Sequence, residues 1–528
     1  MASKSGRSKF GNVLLAAVAA AALWAAPLGA QTTLRAAMHA GVGNLDPIWT
    51  TANIVAYHGA LVYDMLFGVD AEDRPQPQMV DTYTLSDDKL TWRFRLRPGL
   101  AFSDGAPVTA RDCVASIKRW AARDAAGTKL MEKTASLLAV DDQTFELKLK
   151  TPYGLVLESF AKNGTPLLFI MRERDAQTDP NVQIKEVVGS GPFIFKMDEW
   201  NPGQKAVYVR NPNYKPRSEP ASGLAGGKVA RVDRVELLSI PDAQTAHQAL
   251  IKGEIDFLEI VNLDLLQTLK VPGVTVDLFD TTGYRGTTRM NHLHPPFDNP
   301  KARQAMIWLT DQEQYMQAVI GDANYWRTCG SMFSCGSSLE SSAGTEWVRG
   351  HSVEKARQLF REAGYDGRPV VVLDPTDLAW YHMMAQVTAS LLQKAGVNAQ
   401  LQAMDWATMV QRRTSRSPVA DGGWNIFHTG YNGSLIGPVG LLATAASCEK
   451  AWFGWPCDAK IEELREAWAN ASDPAQRRAI MDQLQARNFE AGVLLPVGQW
   501  TKPVAYRSNT GGWVKLPEVI AFWNVEKR

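Results

Sequence analysis

Cysteine is scarce in this chain, with five residues among 528. This excludes a scaffold held together by disulfides, since such chains are short and rich in cysteine. Neither sign of charge is in excess, because 56 Lys and Arg stand against 55 Asp and Glu, for a net charge of +1. Proteins that bind nucleic acid present a basic face. We therefore expect no nucleic acid among the partners.

The chain also has few signatures of catalysis. HExxH, GxGxxG and Walker A patterns are missing, so nothing indicates zincin chemistry or a phosphate cradle. The nearest approach to a nucleophile elbow is Ser103 in the run AFSDG, but Asp104-Gly105 is ordinary turn chemistry, which favours a turn. The eight histidines are scattered, and the pair His292 and His294 is only a weak metal signal. We expect no enzyme, no cofactor and no bound metal.

Long apolar runs are missing after residue 30, where no uncharged stretch approaches the 18 residues of a membrane span. Before it, three basic residues precede an uncharged Ala/Leu run over residues 13–26, and small residues end at Ala30. This pattern predicts a secretory signal peptide over residues 1–30. A membrane anchor is the alternative, but the run is short for a span. We expect a soluble, exported chain that begins near Gln31.

Export permits disulfides, and four of the five cysteines form two local pairs in the sequence. Cys329 and Cys335 flank a Gly-Ser turn, Cys448 and Cys457 flank a Trp-rich loop, and Cys113 is left over. Free thiols and a metal site are the alternatives, although CxxC spacing and neighbouring histidines are missing. The sequence predicts two disulfides and one free thiol.

Secondary-structure patterns indicate an α/β protein. Residues 90–97 alternate between apolar and polar side chains, which is typical of a half-buried strand. Thr109 and Asp112 form a capping-box-like start of a helix. A short apolar strand over residues 370–373, a helix that ends at Gly396 and a strand over residues 401–404 predict a βαβ unit in a parallel sheet.

Five stretches then match one family pattern in the right order. They are LVYDMLF at 61–67 followed by Pro77, the run from SDDKLTWRFRLRPG through FSDG to TARD at 86–112, GSGPF at 189–193, RNPNY at 210–214, and NPKARQA with Asp311 at 299–311. Together they resemble the family 5 extracellular solute-binding proteins, the peptide/nickel-type receptors of ABC importers. Each motif alone is weak, but five in order are specific, and they cover about residues 32–505.

The resemblance implies a two-lobed periplasmic-binding-protein fold of type II that closes around its ligand at a hinge. It implies lobe I over residues 31–280 with an extra subdomain at about 75–190, lobe II over 281–500, and a return to lobe I over 501–528. The implied protein is a periplasmic monomer that captures a peptide-like or other small organic solute for a membrane ABC permease. A receptor for a metal or metal chelate, with His292, His294 or His428 near the cleft, is an alternative, and a secreted hydrolase that uses Ser103 is a weaker one.

Two ligand positions depart from the dipeptide receptors of this family. Those receptors carry a Trp-Thr-Gly-Asp-type run whose Asp meets the peptide ammonium, and the matching run here is His428-Thr-Gly-Tyr431. They also place an Arg for the peptide carboxylate after the strand matched by residues 370–373, where this chain has Asp374 and Asp377. Because unpaired buried charge is costly, this predicts weak binding of unmodified dipeptides.

Aromatic, polar or cationic ligands fit these substitutions better, with Trp49, His428 and Tyr431 as stacking surfaces. Core or rim packing is the alternative role of these aromatic residues. Backbone groups of Gly189 and Ser190 are predicted near the hinge. The full predicted set of ligand contacts is Trp49, Thr50, Gly189, Ser190, Asp374, Asp377, His428, Tyr431 and Asn432.

Overall fold

The structure is a computed structural model that describes residues 1–2, 31–376, 378–432, 437–471 and 473–528, apart from the side chains of Ala407 and Asn432. Nearly all of the predicted signal peptide, and Asp377, lie outside the described residues. No helix in these ranges is both long and apolar enough to cross a bilayer.

Strands are numbered here in chain order over the described residues. Before residue 280 they are β1 (Thr33–Met38), β2 (Phe67–Val69), β3 (Pro75–Pro77), β4 (Val80–Leu85), β5 (Thr91–Leu96), β6 (Thr134–Ala139), β7 (Thr144–Leu149), β8 (Phe193–Phe195), β9 (Lys205–Arg210), β10 (Arg234–Ser239), β11 (Phe257–Leu258) and β12 (Val274–Asp277). Up to residue 500 they are β13 (Tyr284–Met290), β14 (Trp326–Arg327), β15 (Val370–Pro375), β16 (Ala399–Met404), β17 (Ile426–Asn432) and β18 (Leu495–Trp500). The last are β19 (Val504–Arg507), β20 (Thr510–Gly511) and β21 (Glu526–Lys527).

Helices are numbered in the same way. They are α1 (Asn53–Val62), α2 (Ala110–Ala121), α3 (Ala125–Lys133), α4 (Val156–Ala161), α5 (Glu173–Ala176), α6 (Ala243–Lys252), α7 (Pro300–Leu309), α8 (Gln312–Val319), α9 (Trp347–Gly350), α10 (Val353–Glu362), α11 (Ala379–Lys394), α12 (Trp406–Arg412), α13 (Gly437–Gly440), α14 (Ala459–Asn470) and α15 (Pro474–Ala491). Short 3₁₀ turns occupy Met197–Glu199, Leu263–Leu269, Ala323–Tyr325, Val419–Asp421, Leu442–Thr444 and Cys448–Lys450.

The larger sheet combines both ends of the chain, in the order β12-β19-β11-β1-β10-β9-β8. β1 pairs in parallel with β10 over its whole length, and with β11 on its other side. β19 lies antiparallel between β11 and β12, so that Tyr506 faces both Phe257 and Thr275. A strand from the last 25 residues therefore completes a sheet that begins at residue 33.

The second sheet has the order β14-β18-β13-β17-β15-β16 and uses only strands between residues 284 and 500. β13 pairs antiparallel with β17 and with β18. β15 and β16 are parallel and are joined by α11, which confirms the predicted βαβ unit. The carboxyl end of β17, with Tyr431, lies beside the start of β13 at Tyr284.

A smaller sheet, β4-β5-β7-β6, lies within the first part of the chain. Trp92 and Phe94 of β5 are buried while Arg93 and Arg95 are exposed, as the alternation predicts. The rings of Phe94 and Phe145 stack at 4.9 Å across the sheet. The aromatic face of this sheet therefore packs toward α2 and α4, while its charged face is exposed to solvent.

Two segments cross from the larger sheet to the second one. Residues 278–283 lead from β12 to β13, and residues 501–503 lead back from β18 to β19. The two segments touch, since a Cβ added to Gly283 would lie 3.1 Å from Cγ2 of Thr501 and 2.3 Å from the carbonyl oxygen of Trp500 at the end of β18. Gly283 also has φ of 63°. Glycine is required there by both the close approach and the left-handed backbone.

Ion pairs join the two halves on another side. Lys133 Nζ lies 2.6 Å from Glu466 Oε1, and Arg477 Nη1 lies 2.7 Å from Glu158 Oε1. Arg477 also donates to the carbonyl of Gly154 at 2.7 Å. These bonds connect α3 and α4, which lie beside the smaller sheet, to α14 and α15. The two halves of the chain are therefore in contact in this structure.

The cysteines pair as predicted. Cys329 bonds Cys335 and Cys448 bonds Cys457, while Cys113 is a buried thiol on α2 whose pKa is raised by burial. Labelling of the unfolded, unreduced protein with iodoacetamide is expected to modify one cysteine, which peptide mass spectrometry places at Cys113. A reduced sample is the control and is expected to show five modified residues. Modification of Cys329 or Cys448 without reductant would contradict the pairing.

Candidate functional site

A cavity of about 450 Å³ lies where the two sheets face each other beside the crossing segments. His39, Tyr57 and Glu259 line it from the larger sheet's side. Tyr284 and Trp380 line it from the second sheet's side, and Asp280 and Lys502 come from the crossing segments. A neighbouring cavity of about 530 Å³ shares His39, Trp380 and Lys502, so the cleft continues past residues 501–503.

Glu259 is fixed by its neighbours at the wall formed by the larger sheet. It follows β11 directly, and its carboxylate accepts from the backbone N of His39 at 2.8 Å and from the hydroxyl of Tyr57 at 2.9 Å. The Nδ1 of His39 lies 2.9 Å from the same carboxylate. Burial and the neighbouring Glu259 raise the pKa of Tyr57 well above its ordinary value. The phenol therefore stays a donor to Glu259.

Asp280 has a structural part in the first crossing segment. Its Oδ1 accepts from the backbone N of Gly283 at 2.7 Å, and from the backbone N and hydroxyl of Thr282 at 2.9 and 2.8 Å. Burial raises the pKa of Asp280 despite these bonds. This carboxyl group thus closes the turn that precedes β13.

Lys502 points its ammonium group at two aromatic rings. Nζ lies 3.9 Å from the ring centre of Tyr284 and 4.6 Å from that of Trp380, both within the range of cation–π attraction. Trp500 supports these rings, at 5.8 Å from each ring centre. Burial lowers the pKa of Lys502, and the carboxylates of Glu259, Glu518 and Asp280 offset only part of this effect.

A third cavity of about 360 Å³ opens between the two halves near the interdomain ion pairs. Its cationic groups already have carboxylate partners, as Arg477 has in Glu158 and Lys162 has in Asp124. The cavity beside the crossing segments differs, because the Lys502 ammonium has no hydrogen-bond acceptor among the described residues. We therefore take that cavity as the candidate site and call it the hinge cavity.

The predicted contacts near residue 50 lie on a turn held by Asp46, whose Oδ1 accepts from the backbone N of Ile48 and Trp49 at 3.1 Å. The indole of Trp49 donates to the carbonyl of Asn181 at 2.9 Å, and both Trp49 and Thr50 are half-buried. Thr51, one residue further, lines the hinge cavity.

Gly189 and Ser190 lie against the carboxyl end of α1. A Cβ added to Gly189 would lie 2.1 Å from the carbonyl oxygen of Val62, so this position packs backbone against backbone. The Ser190 hydroxyl is buried and has no partner among the described residues. A ligand contact at either residue stays a prediction.

The predicted contacts on the second sheet have partners within that half. His428 is completely buried, its Nε2 lies 2.7 Å from the Thr388 hydroxyl, and burial lowers its pKa to about 3. Asp374 is buried, and its carboxylate is 2.6 Å from Nδ1 of His382. The Tyr431 hydroxyl donates to the carbonyl of Met332 at 2.7 Å. Their contact with ligand stays a prediction, as does that of Asn432, whose side chain is not described.

The residues of the two alternative functions, a metal receptor and a serine hydrolase, also make hydrogen bonds within the protein. The ring nitrogens Nε2 of His292 and His294 lie 3.2 and 2.7 Å from the carbonyls of Gly492 and Arg416. In the described part of the chain, no three His, Cys, Asp or Glu side chains come together in a way that could hold a metal ion. Ser103 lies in a turn, where its backbone N donates to the carbonyl of Gly189 at 2.8 Å.

Sequence reasoning missed Lys502, Glu259 and Trp380. One signal could have found Lys502: the predicted return to lobe I at residue 501 makes residues 501–503 a crossing segment, and crossing segments border a cleft between lobes. Glu259 directly follows a strand, and Trp380 lies in the first turn of a helix. No sequence motif distinguishes either residue.

Comparisons with known proteins agree over almost the whole chain. The family model described as bacterial extracellular solute-binding proteins, family 5 Middle, matches residues 74–453. A probable peptide ABC transporter periplasmic-binding protein of Sinorhizobium fredii is 40% identical over 505 residues, which are 95% of this chain and 94% of that protein. A glutathione-binding protein of Escherichia coli K12 is 23% identical over 521 residues, 95% of this chain and 96% of that protein.

Solved structures share the fold at low identity. A periplasmic binding protein of Helicobacter pylori in complex with the peptide STSA superposes with a TM-score of 0.75 and 20% identity, covering 94% of this chain and 98% of that one. A Campylobacter jejuni protein in complex with Ni(L-His) gives a TM-score of 0.74 at 15% identity, covering 94% and 99%. These superpositions show that the described residues share the two-lobed α/β fold of these binding proteins.

Proposed function

From the premise that this chain belongs to the bacterial extracellular solute-binding proteins of family 5, we propose that the hinge cavity is where it captures its ligand. The protein is the substrate-binding component of an ABC importer and not an enzyme. It takes up a peptide-like or other small organic solute and passes it to the membrane permease. The proposal assigns this capture to the space among Glu259, Tyr284, Trp380 and Lys502.

The observation that carries this proposal is the position of the cavity. Its walls come from both sheets and from both crossing segments, so any ligand inside it contacts the two lobes at once. A ligand that contacts both lobes binds the closed form better than the open one, and this differential affinity is what drives closure. The permease can then distinguish loaded from empty protein by the distance between the lobes.

Domain boundaries and location complete the proposal. We place lobe I at residues 31–280 and 501–528 and lobe II at 281–500, because each sheet draws its strands from these ranges. The mature protein is proposed to begin near Gln31 and to act in the periplasm as a monomer, since the leader has a signal-peptide pattern and the S. fredii relative is a periplasmic-binding protein.

Ligand binding is expected to stabilise the protein and to compact it. A casein hydrolysate added to protein freed of co-purified ligand should raise the melting temperature, because ligand at a hundred times its Kd adds about 2.7 kcal/mol to the stability. The radius of gyration from small-angle X-ray scattering should fall in the same samples. Lysozyme measured with the same hydrolysate controls for solution effects. Stabilisation without compaction would contradict closure around the ligand.

A further inference from the structure

Among the described residues, the Lys502 ammonium in the hinge cavity is a cation whose hydrogen-bonding capacity is unused. The Lys502 ammonium has three N–H donors, but among the described residues it has no hydrogen-bond or ion-pair partner and lies over the ring faces of Tyr284 and Trp380. Ring faces attract a cation, but they do not replace the hydrogen bonds that its N–H groups lose with water. The group therefore retains donors for an acceptor that enters the cavity.

The carboxylates near Lys502 are already engaged. Glu259 accepts from Tyr57 and from the backbone of His39, and it also contacts the His39 ring. Asp280 accepts from Thr282 and Gly283, and Glu518 has an interaction of its own. Glu259 and Asp280 thus hold their walls of the cavity in place, and neither is bonded to the ammonium. Their negative charge nevertheless keeps the neighbourhood of Lys502 favourable for a cation.

We propose that Lys502 binds a carboxylate of the ligand, while Tyr284 and Trp380 flank the apolar or aromatic group next to that carboxylate. This inference rests on the proposed function and names the chemistry of its ligand. The peptide carboxyl terminus and the carboxylate of an acylated amino acid share this chemistry. A second anion on the ligand is disfavoured by Glu259, Asp280 and Glu518, whereas a cationic group would be attracted by them.

The pKa of Lys502 agrees with this assignment. Burial lowers it, which shows that nearby carboxylates do not repay the loss of water around the ammonium. A carboxylate bonded directly to Nζ would stabilise the charged form and give a charge-assisted hydrogen bond. Such a bond changes affinity by about ten- to a hundredfold relative to a neutral acceptor.

Pairs of acids and amides test the inference. Calorimetry is done on the full mature protein, freed of co-purified ligand, with the peptide Ala-Phe-Ala and its carboxyl-terminal amide, and with N-acetylphenylalanine and its amide. The wild type is expected to bind at least one acid about tenfold or more tightly than its amide. Lys502→Met should bring each pair to equal affinity, and Lys502→Arg should keep the preference for the acid.

A matched control exists on the surface of lobe II. Lys355 has the same kind of contact, with Nζ 3.0 Å from the ring centre of Trp308, but it is exposed and does not line the hinge cavity. Lys355→Met removes the same charge and the same type of cation–π contact. It is expected to bind every probe as the wild type does. A loss of acid preference in both variants would show a general charge effect and overturn the proposal.

Failure of this inference can be told apart from failure of the proposed function. If the wild type binds acids and amides equally, or if Lys502→Met keeps the preference, Lys502 does not bind a carboxylate but the receptor function stands. If no probe binds, and casein hydrolysate neither stabilises nor compacts the protein, both are overturned. The acid–amide comparison in the wild type needs no variant, and circular dichroism establishes that each variant folds.

Discussion

Replacing Arg119 by methionine is expected to lower the free energy of unfolding by about 3–5 kcal/mol, the usual cost of leaving one partner of a buried ion pair alone. Nη2 of Arg119 lies 2.6 Å from Oδ2 of Asp46, and the two side chains are 1% and 0% exposed. The Arg119 Nη2 atom also donates to the carbonyl of Val182 at 2.9 Å. Denaturation in urea, followed by tryptophan fluorescence, measures the change as a shift of the midpoint.

Arg111 on the same helix provides the control. Its side chain is 61% exposed, and its ion-pair distances are 3.7 Å to Asp142 and 3.8 Å to Glu173. Arg111→Met therefore removes an equal charge from α2 at a cost within about 0.5 kcal/mol. Equal midpoints for Arg111→Met and Arg119→Met would show that burial of the Asp46 pair does not stabilise lobe I.

The Asp46 pair also bears on the cleft. The same Oδ2 atom accepts from the backbone N of Ile184 at 3.0 Å, while Oδ1 fixes the turn at Ile48 and Trp49. This turn precedes Thr51, which lines the hinge cavity. The buried pair therefore connects the packing of α2 to the position of one cavity wall.

A chain that ends at Leu516 is expected not to fold lobe I. The lost segment contains five large apolar side chains, namely Val519, Ile520, Phe522, Trp523 and Val525, none more than 7% exposed. At about 1.5–3 kcal/mol for each buried side chain, their loss matches the whole stability of a typical protein, about 5–15 kcal/mol. Limited proteolysis is expected to degrade residues 31–280 in this variant while the full chain resists.

Two further variants make this expectation precise. A chain that ends at Val525 loses β21 and the Lys527–Asp256 ion pair at 2.9 Å, but keeps all five apolar side chains, and it is expected to fold. Trp523→Ala in the full chain is expected to cost about 3–5 kcal/mol, the usual loss for a buried tryptophan. Resistance of the chain ending at Leu516 to proteolysis would contradict the role given to this segment.

Local patterns predicted local structure well, for reasons that particular elements make clear. The alternation around Trp92 and Phe94 predicted β5 because a strand turns successive side chains to opposite faces. The βαβ unit followed from a strand, a helix ended by Gly396 and a second strand. The order of family motifs then predicted two lobes, which neither periodicity nor composition could do.

The hinge cavity could not be predicted in the same way. Glu259, Tyr284, Trp380 and Lys502 come from four segments that are far apart in the chain, and only the two sheets bring them together. His428 shows the converse difficulty: its place on β17 follows from alignment, but its burial depends on Thr388 of α11, which packs over it. Side-chain exposure at such positions is a property of tertiary packing.

The position of β19 between β11 and β12 has a consequence for the order in which the protein is built. Domains usually fold from the amino terminus while synthesis continues. Here all strands of the six-stranded sheet have emerged once residue 500 is made. The seven-stranded sheet, which begins at residue 33, waits for β19 at residues 504–507, because β19 pairs with both β11 and β12. The part of the chain that is made first is thus finished last, and pairing over such a separation is slow.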